Sequence, residues 1–192
     1  MKQVKTNLTR LSSAPPGWHR HPNGGGLVED TATVDDTAFV GPDAGVYGRA
    51  RVLDHAEVYG RARVYGLGIV SIGARIYGSA QVFDEAWVSG EARVYGEARV
   101  YGGAVIHGSS RTYGDASMYG DVSMYGDARV CGSARAHEEA QICGHAKVHG
   151  SAEVYGSAEV YGSAEVSGEA RVRGSARVCG EDKVRGKEIV RR

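Results

Sequence analysis

An all-β solenoid, a chain wound into flat-sided coils stacked along one axis, is the fold this sequence predicts. Three observations predict it. From Leu27 onward the 192-residue chain reads LVEDTA, TVDDTA, FVGPDA, GVYGRA and so on to KVRGKE, a six-residue period without a break. Every sixth position from Val28 to Val190 is aliphatic, 28 positions in all, with Thr112 and Ala136 the departures from Val, Ile or Met. Four residues after each comes a small residue, nearly always Ala, from Ala32 to Ala176. A period of six fits neither a helix at about 3.6 residues per turn nor a hairpin meander. Short repeats of this kind mark solenoids.

Each hexad position has a physical reason. The aliphatic residue points inward from a short strand, so its two neighbours point outward. The Ala points inward near a corner, where a larger side chain has no room. Gly stands two positions after the aliphatic residue in most hexads, as at Gly48, Gly60, Gly66 and Gly96, where the chain must turn. Ala136 falls one coil after Met118, so the long Met fills the space that Ala leaves.

The V-Y-G-x-A-x hexad resembles the hexapeptide-repeat family, the left-handed parallel β-helix of bacterial acyltransferases. Within it, the pattern looks like a group of bacterial and phage proteins labelled acyltransferases. The resemblance spans residues 27–190. It implies left-handed coils of three hexads, 18 residues each, and hence about nine triangular coils. At about 4.8 Å per coil the prism is on the order of 43 Å long. It also implies a bacterial or phage source.

Residues 1–26 lack the repeat and read as an N-terminal capping segment ahead of the β-helix at 27–192. Leu8, Leu11 and Trp18 would cover the open first coil, and Pro15-Pro16 and Gly24-Gly25-Gly26 read as turn and hinge punctuation. In the last hexads Asp182 and Glu188 fill the Ala slot, where charge discourages further strand pairing.

With 23 basic and 23 acidic residues the net charge is zero, which gives no bulk attraction to nucleic acid or acidic lipid. No apolar run is long enough for a membrane span or a signal peptide, so a cytoplasmic location and no membrane partner are expected. The three cysteines, Cys131, Cys143 and Cys179, and all eleven tyrosines fall in the outward slot after an inward residue. An odd cysteine count without close stacking argues against a disulfide framework.

Residues 18 apart should stack, which sorts the outward side chains into columns. One face carries Tyr59, Tyr77, Tyr95 and Tyr113, continued by Cys131 and His149. Beside them run Arg75, Arg93, Arg111, Arg129 and Lys147. These cations repel unless offset, and Glu91, Glu97, Asp115 and Asp127 at the corners are placed to offset them. The two columns form a platform for a polyanion or a polysaccharide, with rings available to stack on bases or sugars. A second face carries Ile69, Trp87 and Val105 with Leu53 beside them, an apolar patch expected to make a homo-oligomer, dimer or trimer. The third carries Tyr47, Tyr65, Phe83, Tyr101, Tyr119, His137 and Tyr155, an aromatic column that supports the stack itself.

Acyltransferases of the resembled family use a His base to deprotonate the acceptor, so His145 stacked on Asp127 is the acid–base candidate. Those enzymes carry loop insertions that shape their sites, and this chain has none between its hexads. The cluster of His137, Cys143, His145 and His149 lacks the spacing of a metal site. The sequence therefore reads as a non-catalytic, self-associating β-solenoid scaffold or binding module that needs no cofactor. The alternative is an O- or N-acyltransferase using acetyl-CoA or another acyl-CoA.

Overall fold

The computed structural model describes residues 14–192. Strand β1 (Trp18–Arg20) is followed by β2 (Leu27–Glu29), β3 (Thr33–Val34), β4 (Phe39–Val40) and β5 (Gly45–Val46), and short strands, most of them of two residues, recur every six residues thereafter. From β2 onward each strand pairs in parallel with the strand three places on, so β2 pairs with β5 through Leu27–Gly45 and Val28–Val46. The result is three parallel sheets that wall a triangular solenoid of about nine turns. The first sheet begins at β2, the second at β3 and the third at β4. β1 adds to the first sheet as an antiparallel edge strand against β2.

The 18-residue register is uniform. Val64, Val82 and Val100 stack in the first sheet, and Val94, Thr112, Val130 and Val148 in the third. Met118 lies over Ala136. The inward Val, Ile, Met and Ala side chains from Val28 to Val184 make one continuous apolar core, nearly all of it without solvent contact. Each coil's backbone N–H groups donate to carbonyls of the next, as Tyr77 N to Val94 O at 3.0 Å and Ser79 N to Gly96 O at 2.7 Å.

From Gly48 onward the corner after each strand runs through the left-handed region. Gly96 has φ of 76°, and a Cβ there would lie 2.9 Å from Gly114 N, so steric crowding by the next coil adds to the backbone preference. Four corners carry other residues at positive φ: Asp54, Ile72, Asp84 and Glu138, between 55° and 60°. Asp is tolerated there. A β-branched Ile is not, and Ile72 also leaves its side chain 59% exposed.

At the N-terminal end, Gly24 and Gly26 press against the Val40 carbonyl, and Gly26 N donates to it at 2.9 Å. The Trp18 ring lies 6.0 Å from Tyr47, at the head of the aromatic column. Leu8 and Leu11, expected in the cap, lie outside the described residues. In the last coil the carboxylates in the Ala slot turn to the backbone: Asp182 accepts from Cys179 N and Glu188 from Arg185 N, both at 3.3 Å. Among the described residues no helix is long and apolar enough to cross a membrane.

Two changes test the packing. Ile72→Gly should stabilise the fold by about 1 kcal/mol, because it relieves a left-handed β-branched residue and gives up no buried contact. Urea unfolding should show a higher midpoint; a fall would mean that the Ile72 side chain is held by something other than its own coil. Thr112 fills a Val slot with no solvent contact, and its hydroxyl donates to the Met124 sulfur at 3.5 Å, a weak acceptor. Thr112→Val should therefore raise stability by about 1 kcal/mol in the same assay.

Candidate functional site

The third sheet brings the expected cations together. Arg75, Arg93, Arg111, Arg129 and Lys147 are successive register partners, one per coil. Beside them Tyr59, Tyr77, Tyr95 and Tyr113 stack with ring centroids 4.8–5.0 Å apart and planes within 1° of parallel. This measures the rise per coil at the surface. It also fixes what the rings can do. Their faces lie against one another, so the column turns ring edges and hydroxyls outward. Burial raises the pKa of Tyr59 and Tyr95, and a hydrogen bond with Cys131, with burial behind it, pushes Tyr113 up to about 12. These phenols therefore stay neutral donors at physiological pH.

The column has closed ends and an open middle. Arg75 pairs with Glu57 at 3.5 Å. At the other end Glu165 is the register partner of Lys147. It is taken instead by His149 Nε2 at 3.0 Å and by Arg185 at 3.5 Å. The His149 hydrogen bond, more than the nearby Arg185, holds the Glu165 carboxyl below its usual range. Between these ends, no carboxylate among the described residues lies within 4.0 Å of Arg93, Arg111, Arg129 or Lys147. The corner acids Glu91, Glu97, Asp115 and Asp127 do not pair with them, contrary to the expectation from stacking. Asp127 meets His145 instead.

The other two sheets treat their cations differently. In the first, Glu153 stands between Arg135 and Arg171 and meets them at 3.7 and 3.2 Å. In the second, Arg177 meets Glu159 at 2.8 Å. The fold can thus alternate charge down a column, and the third sheet departs from this over four consecutive coils.

A groove of about 410 Å³ follows the unpaired run. Arg111, Arg129 and Lys147 form one wall, and Ser109, Asp127 and His145, one per coil along the preceding corner, form the other. The acid–base candidate and the cation platform, separate readings of the sequence, meet in this one groove. His145 Nδ1 lies 3.4 Å from Asp127 Oδ2, yet both side chains are open to solvent, at 72% and 55%. No apolar wall encloses them. Among the described residues, no group of three or more His, Cys, Asp or Glu is placed to hold a metal ion.

On the second sheet, Ile69, Trp87 and Val105 are register partners as expected. Trp87 is 44% exposed and donates from Nε1 to Ser71 Oγ at 3.2 Å, while Leu53 is half-buried. The patch is wider than the columns implied. Leu67 and Ile72, at the corners on either side of Ile69, are exposed as well. Ile in a slot held in the other complete hexads mostly by Gly and otherwise by Asp, Glu or Pro was the signal for the second of these. The three cysteines are free. Each lies one coil after a tyrosine in its own column and hydrogen-bonds to it, raising the pKa of Tyr113, Tyr125 and Tyr161. That pairing was missed because the cysteines read simply as substitutes for tyrosine.

Comparison with known families gives one match: a model described as the YdcK beta solenoid repeat covers residues 92–108, just short of one coil. It agrees with the solenoid seen here and includes Arg93 and Tyr95 of the platform. No curated protein and no solved structure matches the chain.

Proposed function

We propose that this protein is a non-catalytic binding module, a self-associating solenoid that offers its third face to a polyanion. The observation that carries this reading is the run Arg93, Arg111, Arg129 and Lys147, stacked in register and left without carboxylate partners. Like charges directly opposite on neighbouring strands destabilise a sheet. The chain sets Glu153 between Arg135 and Arg171 and Glu159 beside Arg177 on its other faces, but keeps this repulsion where a ligand would relieve it. The stacked tyrosines support the same reading by presenting neutral hydroxyls rather than charge. Their mutual stacking argues against intercalated bases, so the ligand is held by charge and hydrogen bonds. Kinship with hexapeptide-repeat proteins, a left-handed winding and an N-terminal cap at residues 1–26 belong to this proposal. The antiparallel β1 and the Trp18 contact favour the cap. The opening of His145 and Asp127 to solvent favours binding over acyl transfer, which needs a base shielded with its acceptor.

Replacing Arg93 and Arg111 together by Glu should abolish retention on a sulfated polysaccharide matrix and leave thermal unfolding unimpaired, since both side chains point outward. For an oligothymidylate spanning the four cations, log affinity against log salt should fall with a slope of about −3. Equal binding by the double variant would reduce the platform to a solvated edge.

Self-association is assigned to the second face, where Leu67, Ile69, Ile72, Trp87 and Val105 expose apolar surface on a flat sheet. Trp87→Glu should place a charge in a desolvated contact and weaken the oligomer by at least about tenfold in sedimentation equilibrium. A wild-type protein that sediments as a monomer at high concentration refutes the interface.

A further inference from the structure

Charge alone does not explain the groove beside the cations. Asp127 stands in the middle of its corner wall, between Ser109 and His145 and facing Arg111, Arg129 and Lys147. Against a ligand made only of phosphates, that carboxylate repels and has nothing to accept. Against a polymer that carries hydroxyls as well as anions, it is an acceptor set among donors. Ser109 and the tyrosine hydroxyls extend the same mixed lining on both sides of the cation run. The groove is therefore built for a ligand with both kinds of group.

The spacing narrows the choice. The coil rise, read from the tyrosine rings, is 4.8–4.9 Å through Tyr77, Tyr95 and Tyr113. One cation per coil therefore asks for one anion per comparable length. A pyranose linked through its first and fourth carbons advances its chain by close to one coil. Duplex DNA sets phosphates at about 3.4 Å per strand, which drifts out of register within two coils. Single-stranded nucleic acid relies on stacking its bases, and the faces of these rings lie against one another.

Resting on the polyanion reading above, we propose that the third face binds a linear acidic polysaccharide with one carboxylate per sugar. The chain runs parallel to the prism axis. Its carboxylates, which a 1,4-linked chain turns to successive edges, are met by the long side chains of Arg93, Arg111, Arg129 and Lys147 beneath it, and its hydroxyls meet Ser109, Asp127 and the tyrosine edges. Glu57, paired with Arg75, and Glu165 bracket the run at its two ends. The bound segment is thus about four sugars long, and a longer chain gains little more.

Calorimetric titration with oligouronates of graded length tests this, with linear polyphosphate and oligothymidylate as comparisons at matched charge and salt and the methyl-esterified oligouronate as the uncharged control. Affinity for the oligouronate should rise with each sugar up to about four and then level off. It should exceed that for the other two polyanions by at least about tenfold, and the methyl ester should not bind. Arg111→Gln should lower oligouronate affinity about tenfold and raise the melting temperature, which shows that the fold survives the change. Asp127→Ala should weaken the oligouronate and strengthen polyphosphate, opposite signs that a role in folding would not give. Equal or tighter binding of polyphosphate or oligothymidylate overturns the polysaccharide assignment while the charged platform stands. Binding of the methyl ester as tight as that of the acid overturns recognition by charge. No binding of any polyanion at low salt removes the platform and the polysaccharide together.

Discussion

Everything on this molecule depends on the backbone ladder that holds residue i over residue i+18. Each coil donates its N–H groups to the next, and the pairing is parallel and in register along all three sheets. No coil buries its apolar side alone; its core closes only against its neighbours. The left-handed corners are the condition for this ladder. Gly96 and its equivalents let adjacent corners approach within a distance that a Cβ would forbid. Where Ile72 stands instead, the register is kept and the strain is local.

The ladder has a consequence for function. In a solenoid, a side chain's nearest surface neighbours are its own counterparts one coil above and below. A single outward mutation is thus a point, but a repeated residue becomes a line. Tyrosine lines satisfy themselves, since parallel rings at 4.8 Å stack well. Alternating Arg and Glu lines satisfy themselves by pairing, as Glu153 does with both Arg135 and Arg171. A line of cations cannot satisfy itself. It must find counter-charge from the corners, from solvent ions or from a ligand. Of the corner carboxylates beside the open run, Asp127 lines the groove, and it meets His145.

The sequence revealed the columns almost completely, because a fixed period converts position into place. Arg75 to Lys147, Tyr59 to Tyr113 and Ile69 to Val105 all fall where counting by 18 puts them. What counting could not reach was direction at the corners. Glu91, Glu97, Asp115 and Asp127 are near the cations in sequence, yet none of them comes within 4.0 Å of Arg93, Arg111, Arg129 or Lys147. For the same reason Ser109, Asp127 and His145 did not read as a groove wall. The exposure of Leu67 and Ile72, and the hydrogen bonds of the three cysteines to the tyrosines above them, depend on side-chain reach rather than on slot.

The two outward features of the molecule place opposite demands on that ladder, and its linear character reconciles them. Stacked cations raise the energy of the third sheet over the coils from Arg93 to Lys147, while the aromatic column of the first sheet, from Tyr47 through Phe83 to Tyr155, runs unbroken across the same coils. Each stacked pair contributes about 0.2–1 kcal/mol. Because a coil's stability is set mainly by its own faces and its immediate neighbours, a stabilising column on one face offsets a strained column on another within the same turn. The third sheet adds its own tyrosine stack beside the cations through Tyr113, where Cys131 takes over the column. A polyanion laid along the cations would remove the repulsion without altering a single backbone bond. Such binding would need no conformational change, since the spacing of the cations is already set by the rise of the coils.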